Sequence, residues 1–462
     1  MTRTPLYGLL TAEAVSLVGT RISMIALPWF VLTTTGSVAR TGLVAAVEMA
    51  PLVLFKVLGG PFVDRFGARR IAVWCDAGSA LTVAAVPALH LAGRLDLPLL
   101  LVLVGLAGAL RGPGDGAKSA MVPGVASVAA VPLERVTGLH GAIERTASTA
   151  GAALAGVLVG VLGAVGALFV DAVSFAICAA VVLATTGAVS RRPNPATLEV
   201  APSQGAVPTP DPTPAVSPAV SPAPEPSYLH RLREGWQFLR RDPVLVALSA
   251  MVAATNLLDL AWGSVLMPVW GQRSGAGPTG IGTLLACMSA ASILSALLAA
   301  RWGARLPRYR TYLVGFLVAG LPRFLVLALG APVWVCLLVF AAAGFASGFL
   351  NPIIGAVVFE RIPPYLTGRV SALNSALCWS LMPLGGVLGG VLAGGLGLEA
   401  ALWVVGLAYL VASLSPLLFR SFRGFDTRPA PVALASGSAT GSSTGSSTGP
   451  GPVGEPTPAA VA

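Results

Sequence analysis

The sequence predicts an all-α membrane protein with twelve transmembrane helices in two pseudo-symmetric halves of six. Three observations predict this class: a low content of charged residues, a series of long apolar runs, and an internal repeat. Only 10% of the 462 residues are charged, and the mean hydropathy is +0.81. Soluble proteins average about 25% charged residues. The composition therefore excludes a water-soluble globular protein.

Apolar runs long enough to cross a bilayer recur twelve times along the chain. The hydrocarbon core of a bilayer requires about 20 mostly apolar residues per helix. The predicted spans are 7–32, 41–63, 71–92, 97–117, 137–162, 165–186, 244–269, 279–300, 310–330, 333–357, 367–394 and 398–419. Gly, Pro and polar residues interrupt the fourth and tenth of these runs, which therefore have the weakest pattern.

The distribution of the 29 Lys and Arg residues predicts the orientation of the spans. With the N-terminus inside, most of them, Lys118 included, fall in cytoplasmic segments. The outer loops hold Arg40, Arg94 and Arg273, and the spans hold Arg21, Lys56, Arg145 and Arg323. Cytoplasmic loops of membrane proteins are rich in Lys and Arg. Both termini are therefore predicted to be cytoplasmic in a bacterial cell membrane, and the net charge of +10 marks topology and not nucleic-acid binding.

Shifts in composition divide the chain into four regions. Pro, Ala, Val and Ser dominate one connecting segment, and a basic amphipathic stretch, YLHRLREGWQFLRR, follows it. The C-terminal tail is a low-complexity sequence that predicts disorder. The regions are the N-terminal six-helix half, 1–186; the Pro-rich cytoplasmic linker with its amphipathic helix, 187–242; the C-terminal six-helix half, 243–426; and the disordered cytoplasmic tail, 427–462.

Short segments of the two halves repeat in the same order. The segment ERVTGLHGA at 134–142 resembles GRVSALNSA at 368–376, and RFGAR at 65–69 matches RWGAR at 301–305. Because the separation between the paired segments is nearly constant, the pattern indicates duplication of a six-helix unit. Two halves of the same orientation form a parallel repeat, which is an arrangement known in secondary transporters.

The connection between the second and third spans carries the segment GPFVDRFGARR at 60–70. This segment resembles the loop signature of the major facilitator superfamily, G-x-x-x-D-R-x-G-x-R-R. The matching residues are Gly60, Asp64, Arg65, Gly67, Arg69 and Arg70. The resemblance implies the major facilitator fold and a cytoplasmic gate in which Asp64 and Arg65 lock the outward-open state. On the residues alone, a basic turn that only sets topology accounts for the loop equally well.

Further segments resemble the branch of drug efflux proteins that includes macrolide and siderophore exporters. They are ISMIALPWFVLTTTGS at 22–37 and GALFVDAVSFAI at 166–177, and Arg111 resembles the buried Arg motif of the fourth span. The resemblance implies a secondary active transporter that exports small amphipathic or hydrophobic compounds by alternating access and proton antiport. The alternatives are export of a specific natural product or siderophore, nutrient uptake, and a transport-inactive membrane sensor.

Charged residues inside the predicted spans mark the candidate cavity. A charge at mid-bilayer costs about 2.5–3.5 kcal/mol, so each one that is retained calls for a function or a partner. Glu48 and Arg21 of neighbouring spans either tie two helices together or form a titrating carboxylate with a tuning cation. Asp259 is either a substrate or proton site or a helix-packing group. Asn256, which shares a helix face with Asp259, also belongs to this candidate proton and substrate cavity. The possible partners of Asp259 across the second half are Arg323 and Asn351.

The sequence predicts neither a metal site nor a bound cofactor. The five cysteines have no paired spacing, the three histidines are scattered, and GDGAKS at 114–119 lacks a glycine that a phosphate loop requires. No nucleophile constellation appears, so the chain is predicted not to be an enzyme. The predicted partners are a small-molecule substrate, protons as the coupling ion and the lipid bilayer, with a monomer as the functional unit.

Overall fold

The computed structural model describes residues 3–187, 228–302, 306–363 and 367–418, and every regular element in these ranges is helical. The elements are α1 Thr4–Thr35, α2 Val38–Leu58, α3 Gly60–Phe66, α4 Ala68–Leu91, α5 Leu97–Ala129, α6 Leu133–Thr185, α7 Tyr228–Arg241, α8 Pro243–Ala261, a π-helical turn Trp262–Leu266, α9 Met267–Arg273, α10 Gly277–Trp302, α11 Arg308–Ala319, α12 Leu321–Ala328, α13 Val333–Arg361, α14 Thr367–Trp379, α15 Met382–Gly395 and α16 Leu398–Leu418.

Eleven helical stretches in the described ranges are long and apolar enough to cross a membrane. The remaining span is the first part of α6, which one kink divides into the predicted fifth and sixth spans. At this kink Gly163 has a φ of +71°, a left-handed conformation that glycine adopts at little cost. The prediction of an all-α membrane protein with twelve spanning helices is therefore confirmed.

The fourth span differs from its prediction, because α5 continues for about three turns beyond residue 117. Pro113 and Pro123 lie inside this helix. Neighbouring helices in a bundle supply contacts that offset the backbone hydrogen bonds lost at a proline. Lys118 therefore lies within α5 and not in a loop after it. The distribution of cations had placed this residue in a cytoplasmic segment.

The predicted amphipathic helix is present as α7, Tyr228–Arg241. It precedes α8, whose first turn is capped by Asp242: the carboxylate accepts hydrogen bonds from the backbone N–H groups of Val244, at 2.9 Å, and Leu245. The rest of the predicted linker and the C-terminal tail lie outside the described residues. The four region boundaries stay predictions.

The two halves pack against each other through glycines near the end of the bundle that holds the α1–α2 connection, here called the Gly36 end. Gly156 of α6 lies against Gly282 of α10, where a Cβ on either glycine would overlap the Cα of the other. A second contact joins α2 and α15, where Gly42 lies against Gly386 and Gly390. Small residues of this kind let helix backbones approach closely in a membrane. The Gly36 end is therefore closed between the halves.

Candidate functional site

A cavity of about 400 Å³ lies between the two halves of the protein. Helices α1 and α2 form its wall in the first half, and α8, the π-helical turn, α10 and α15 form its wall in the second half. Its polar lining residues are Arg21, Glu48, Asn256, Asp259, Ser264 and Ser289. Its apolar lining includes Met24, Met49, Met288 and Met382. Four of the six residues predicted for the cavity therefore share one site.

The carboxylate of Glu48 forms an ion pair with Arg111 of α5, with 3.1 Å between Oε1 and Nη1. Both side chains are about nine-tenths buried. The pairing of Glu48 with Arg21 that the sequence suggested is wrong, since Arg111 holds the carboxylate and Arg21 lies elsewhere on the same cavity wall. The spacing of residues along α1 and α2 contained no information about the approach of α5.

Two glycines of α5 explain why Arg111 reaches Glu48. A Cβ on Gly108 would overlap the backbone carbonyl of Glu48, and one on Gly112 would lie 2.7 Å from the carbonyl oxygen of Leu52. Glycines four residues apart form a smooth strip on one face of a helix, which allows a close crossing. Arg111 lies between these two glycines, so the helix contact directs its guanidinium toward α2.

The second half of the site contains an ion pair between Asp259 of α8 and Arg323 of α12. The guanidinium of Arg323 is buried among three aromatic rings, with centroids 4.7 Å away for Trp262 and 4.9 Å away for both Phe324 and Tyr409. Aromatic faces attract cations and help to offset their burial. The Asp259 side chain is 39% exposed, and only its Oδ1 bonds to Arg323. The Asp259 side chain is therefore partly open to the cavity.

A π-helical turn, Trp262–Leu266, interrupts the seventh span and begins three residues after Asp259. Gly263 and Ser264 of this turn line the cavity, and the hydroxyl of Ser264 donates to the carbonyl of Leu260 at 2.6 Å. Single π-helical turns inside α-helices occur frequently at functional sites. Here the turn shifts the register of the lining residues between the two ends of the span.

The other two predicted residues of the second half have different positions. Asn256 lines the cavity and donates from Nδ2 to the backbone carbonyl of Cys378 at 2.9 Å, which links α8 to α14. The backbone of Asn351 belongs to α13, but its side chain lies outside the described part of the structure. Of the two partners considered for Asp259, Arg323 is the one that the structure pairs with it.

The predicted gate motif forms α3 and the first turn of α4. Gly67 separates the two helices with a φ of +88°. Asp64 and Arg65 are exposed on α3, and Asp64 makes no ion pair with any described residue. Arg69 donates from Nη2 to the carbonyl of Leu183 at 2.6 Å, which ties the loop to the end of α6. The role of this loop motif as a cytoplasmic gate remains a prediction.

A polar cluster inside the first half was not predicted as a site. Lys118 is 3% exposed and donates to Asp76 at 3.0 Å and to Ser16 at 3.1 Å. Cys178 donates to the other oxygen of Asp76. Four helices, α1, α4, α5 and α6, meet in this cluster, so it ties the first half together. The polar character of Asp76 and Lys118 within apolar surroundings was the available signal.

Comparison with known families identifies the chain over most of its length. The sequence model of the Major Facilitator Superfamily matches residues 9–277 and 250–452. A relative from Mycobacterium tuberculosis, named multidrug efflux pump Tap, is 27% identical over 430 residues, covering 92% of this chain and 96% of that protein. A relative of the same name from Mycolicibacterium fortuitum is 29% identical over 434 residues, covering 93% and 99%.

Solved structures with the same fold include two transporters. The nucleoside transporter NupG has a TM-score of 0.66 at 13% identity, covering 92% of this chain and all of that one. A bacterial homolog of the human lysosomal transporter Spinster, in an inward-facing and occupied conformation, has a TM-score of 0.66 at 13% identity, covering 90% and 96%. The match to the family over both halves, together with the twelve-span fold around a central cavity, shows that this chain belongs to the major facilitator superfamily of membrane transporters.

Proposed function

We propose that the protein exports small amphipathic or hydrophobic compounds of several chemical types, in exchange for protons. The observation that carries this proposal is the lining of the central cavity. Four methionines, Met24, Met49, Met288 and Met382, lie beside a few charged and polar groups. Methionine side chains are flexible and polarisable, so a surface rich in them adapts to ligands of different shape. Such a cavity suits compounds that combine an apolar body with a polar group.

The names of the relatives support export. Two mycobacterial relatives that align with more than nine-tenths of the chain are called multidrug efflux pumps. In our proposal the protein acts as a monomer with both termini in the cytoplasm, so that the Gly36 end faces outward. The closed Gly36 end then corresponds to a state in which substrate enters the cavity from the inner side.

The ion pair of Glu48 with Arg111 supports proton coupling. The carboxylate lies on the wall of the cavity that receives the substrate, and it is largely removed from water. A buried carboxylate beside one cation is a group whose protonation responds strongly to its surroundings. We assign the proton to Glu48 and the polar contact with substrate to the carboxylate of Asp259, whose side chain is partly exposed.

The function is tested with the full-length protein in liposomes. A panel of fluorescent cationic and neutral amphipathic dyes provides the substrates, and an internal pH dye reports proton movement. Imposing a pH gradient should drive dye against its concentration gradient, with protons moving in the opposite direction. Dye movement that ignores the pH gradient would refute antiport, and movement of none of the dyes would refute broad export.

Asp64→Asn in the loop motif is expected to lower the transport rate about tenfold. In this proposal Asp64 forms a charge-assisted contact in the state that is closed on the cytoplasmic side. Hydrogen bonds to charged groups contribute about 1.5–3 kcal/mol, and 1.4 kcal/mol corresponds to a tenfold change in an equilibrium. The measurement is the initial rate of dye efflux per inserted molecule.

The matched control for this variant is Glu399→Gln, which neutralises an exposed carboxylate in the first turn of α16. The control should transport at the rate of the wild type. Both variants should insert into the membrane equally, because Asp64 is exposed and contributes nothing to the core. A wild-type rate for Asp64→Asn would show that the loop only sets topology.

A further inference from the structure

A second, smaller cavity of about 30 Å³ lies inside the first half of the protein, next to Glu48. We call it the inner chamber. Its polar lining residues come from all the helices around it except α6: Ser23, Glu48, Ser79, Thr82 and Arg111. A polar cavity above roughly 10–15 Å³ has room for a water molecule. The inner chamber therefore has both the volume and the polar groups that a buried water requires.

One polar atom at the inner chamber has no partner among the described residues. The hydroxyl oxygen of Ser79 is buried, since the residue is 1% exposed, and it makes no hydrogen bond there. Burying a hydroxyl without a hydrogen bond costs free energy, and buried water commonly satisfies such groups. The lone hydroxyl of Ser79 thus points independently to water in the chamber.

Ser23 connects the inner chamber to a second buried carboxyl group. Its hydroxyl lines the chamber and donates to Oδ2 of Asp171 in α6. Asp171 is fully buried; the hydroxyl of Ser174 donates to its backbone carbonyl at 2.7 Å and lies 3.2 Å from its Oδ1. A Cβ on Gly19 of α1 would overlap both Ser174 and Asp171. Helix α1 therefore lies directly on this carboxyl group and separates it from the central cavity.

The charges around the two carboxyl groups come from three helices. Arg111 of α5 bonds to Glu48, stacks 5.8 Å from the ring of Phe175, and acts electrostatically on Asp171 as well. Arg21 of α1 lines the central cavity together with Glu48. A further buried ion pair joins Lys118 of α5 to Asp76 of α4, and the charges of these two residues neutralise each other. Among the described residues, Arg111 is therefore the cation that acts on both carboxyl groups.

We propose that the inner chamber holds water that connects Glu48 with Asp171, and that Asp171 is a second proton-holding group of the transporter. The proposal rests on the proton antiport proposed above. Arg111 pairs with Glu48, and no ion pair among the described residues involves Asp171. In our proposal the two carboxyl groups therefore share one proton. The chamber provides a path along which that proton moves between the two groups.

The transfer is balanced in three steps. Protonated Glu48 donates its proton to the chamber water, and that water donates one of its protons to the hydroxyl of Ser23. Ser23 in turn donates its own hydroxyl proton to Oδ2 of Asp171. The result is a Glu48 carboxylate facing Arg111 and a neutral Asp171, with no change in any bond between heavy atoms. The reverse sequence returns the proton.

The test uses Ser79→Val, which removes the lone hydroxyl and fills the chamber, together with Ser79→Ala, which removes the hydroxyl but leaves the space. Asp171→Asn removes the proposed acceptor. Ser119→Val, at an exposed position of α5, is the matched control. Melting temperatures of the purified proteins identify variants that fail to fold, and a folded Ser79→Val variant is sufficient for the test.

Two measurements are made on each variant. The first is infrared spectroscopy of the protonated carboxyl groups, with the rate at which they exchange after transfer to D₂O. The second is the ratio of pH-driven dye efflux to dye counterflow in the same liposomes. We expect Asp171→Asn to remove one protonated-carboxyl band. We expect Ser79→Val to slow exchange of that band at least tenfold and to lower the efflux ratio about tenfold, with Ser79→Ala between it and the wild type.

The outcomes separate this proposal from the proposed function. If wild-type efflux follows the pH gradient but Ser79→Val and Asp171→Asn match it in both measurements, the inner chamber carries no proton and only this inference fails. If wild-type efflux ignores the gradient, the proposed antiport fails. The exchange rates then still decide the water path, and equal rates in Ser79→Val and the wild type overturn it.

Discussion

Replacing Glu48 by Gln is expected to abolish pH-driven dye efflux while dye binding persists. The carboxylate lies on the wall of the central cavity and pairs with Arg111 at 3.1 Å. An amide does not exchange a proton, so the driving force is lost, whereas the shape of the cavity is unchanged. The efflux rate should fall to that of wild-type liposomes without a gradient. The measurements are pH-driven efflux and dye affinity on the same preparation.

Stability must be separated from coupling in this variant. Removing one partner of a buried ion pair costs about 3–5 kcal/mol, because the remaining charge is left uncompensated. Glu48→Gln should therefore lower the melting temperature. Adding Arg111→Gln removes the stranded charge and should restore most of the stability, but not the pH-driven efflux. Glu399→Gln, at an exposed site, should leave both quantities unchanged.

Asp259→Asn tests the other half of the assignment, in which Asp259 contacts the substrate. If Glu48 carries the proton and Asp259 contacts the substrate, Asp259→Asn should weaken the binding of cationic dyes and retain proton coupling. The reverse pattern, with coupling kept in Glu48→Gln and lost in Asp259→Asn, would assign the proton to the second half. Coupling kept in both variants would exclude both carboxylates as the proton carrier.

Replacing Gly156 by Val is expected to prevent closure of the Gly36 end and to lower the transport rate about 5- to 150-fold. The new side chain would overlap the backbone of Gly282, which has no side chain that could move aside. Overpacking of a close contact costs about 1–3 kcal/mol, and a difference of this size shifts an equilibrium about 5- to 150-fold. Spin labels placed on α6 and α10 should report an increased distance between the halves.

The control for this substitution is Gly394→Val in α15, where a Cβ would meet no atom within 4 Å. It adds the same side chain to a spanning helix without a contact between the halves, so transport and label distances should match the wild type. Gly282→Val should reproduce the effect of Gly156→Val from the opposite side. Normal transport in either glycine variant would show that the close packing at this contact is not needed for the cycle.

Most of the fold was predictable because its determinants are local. A run of about 20 apolar residues in a membrane has to be helical, since the bilayer offers no partners for backbone polar groups. The predicted amphipathic segment is a helix with the predicted bounds, Tyr228–Arg241. The fourth span was predicted too short, because Pro113 and Pro123 do not end a helix that other helices surround.

The pairing of the charged residues was predictable only in part. The sequence marked Glu48, Asp259 and Arg323 as intramembrane charges with a role, and all three belong to the two ion pairs at the cavity. It assigned Glu48 to the wrong cation, because helix periodicity relates residues within one helix and is silent about contacts between helices. The glycines at 108 and 112 set that contact, yet in the sequence they resemble many other glycines.

The sequence by itself determined the class of protein, the number of spans and the short set of charges that a membrane retains. These follow from the cost of exposing polar groups to hydrocarbon, which acts on each segment separately. The tertiary structure decided which charges meet, where the halves touch, and that a polar chamber lies behind Glu48. These depend on how closely helices distant in sequence approach each other, and that distance is set by packing across the whole bundle.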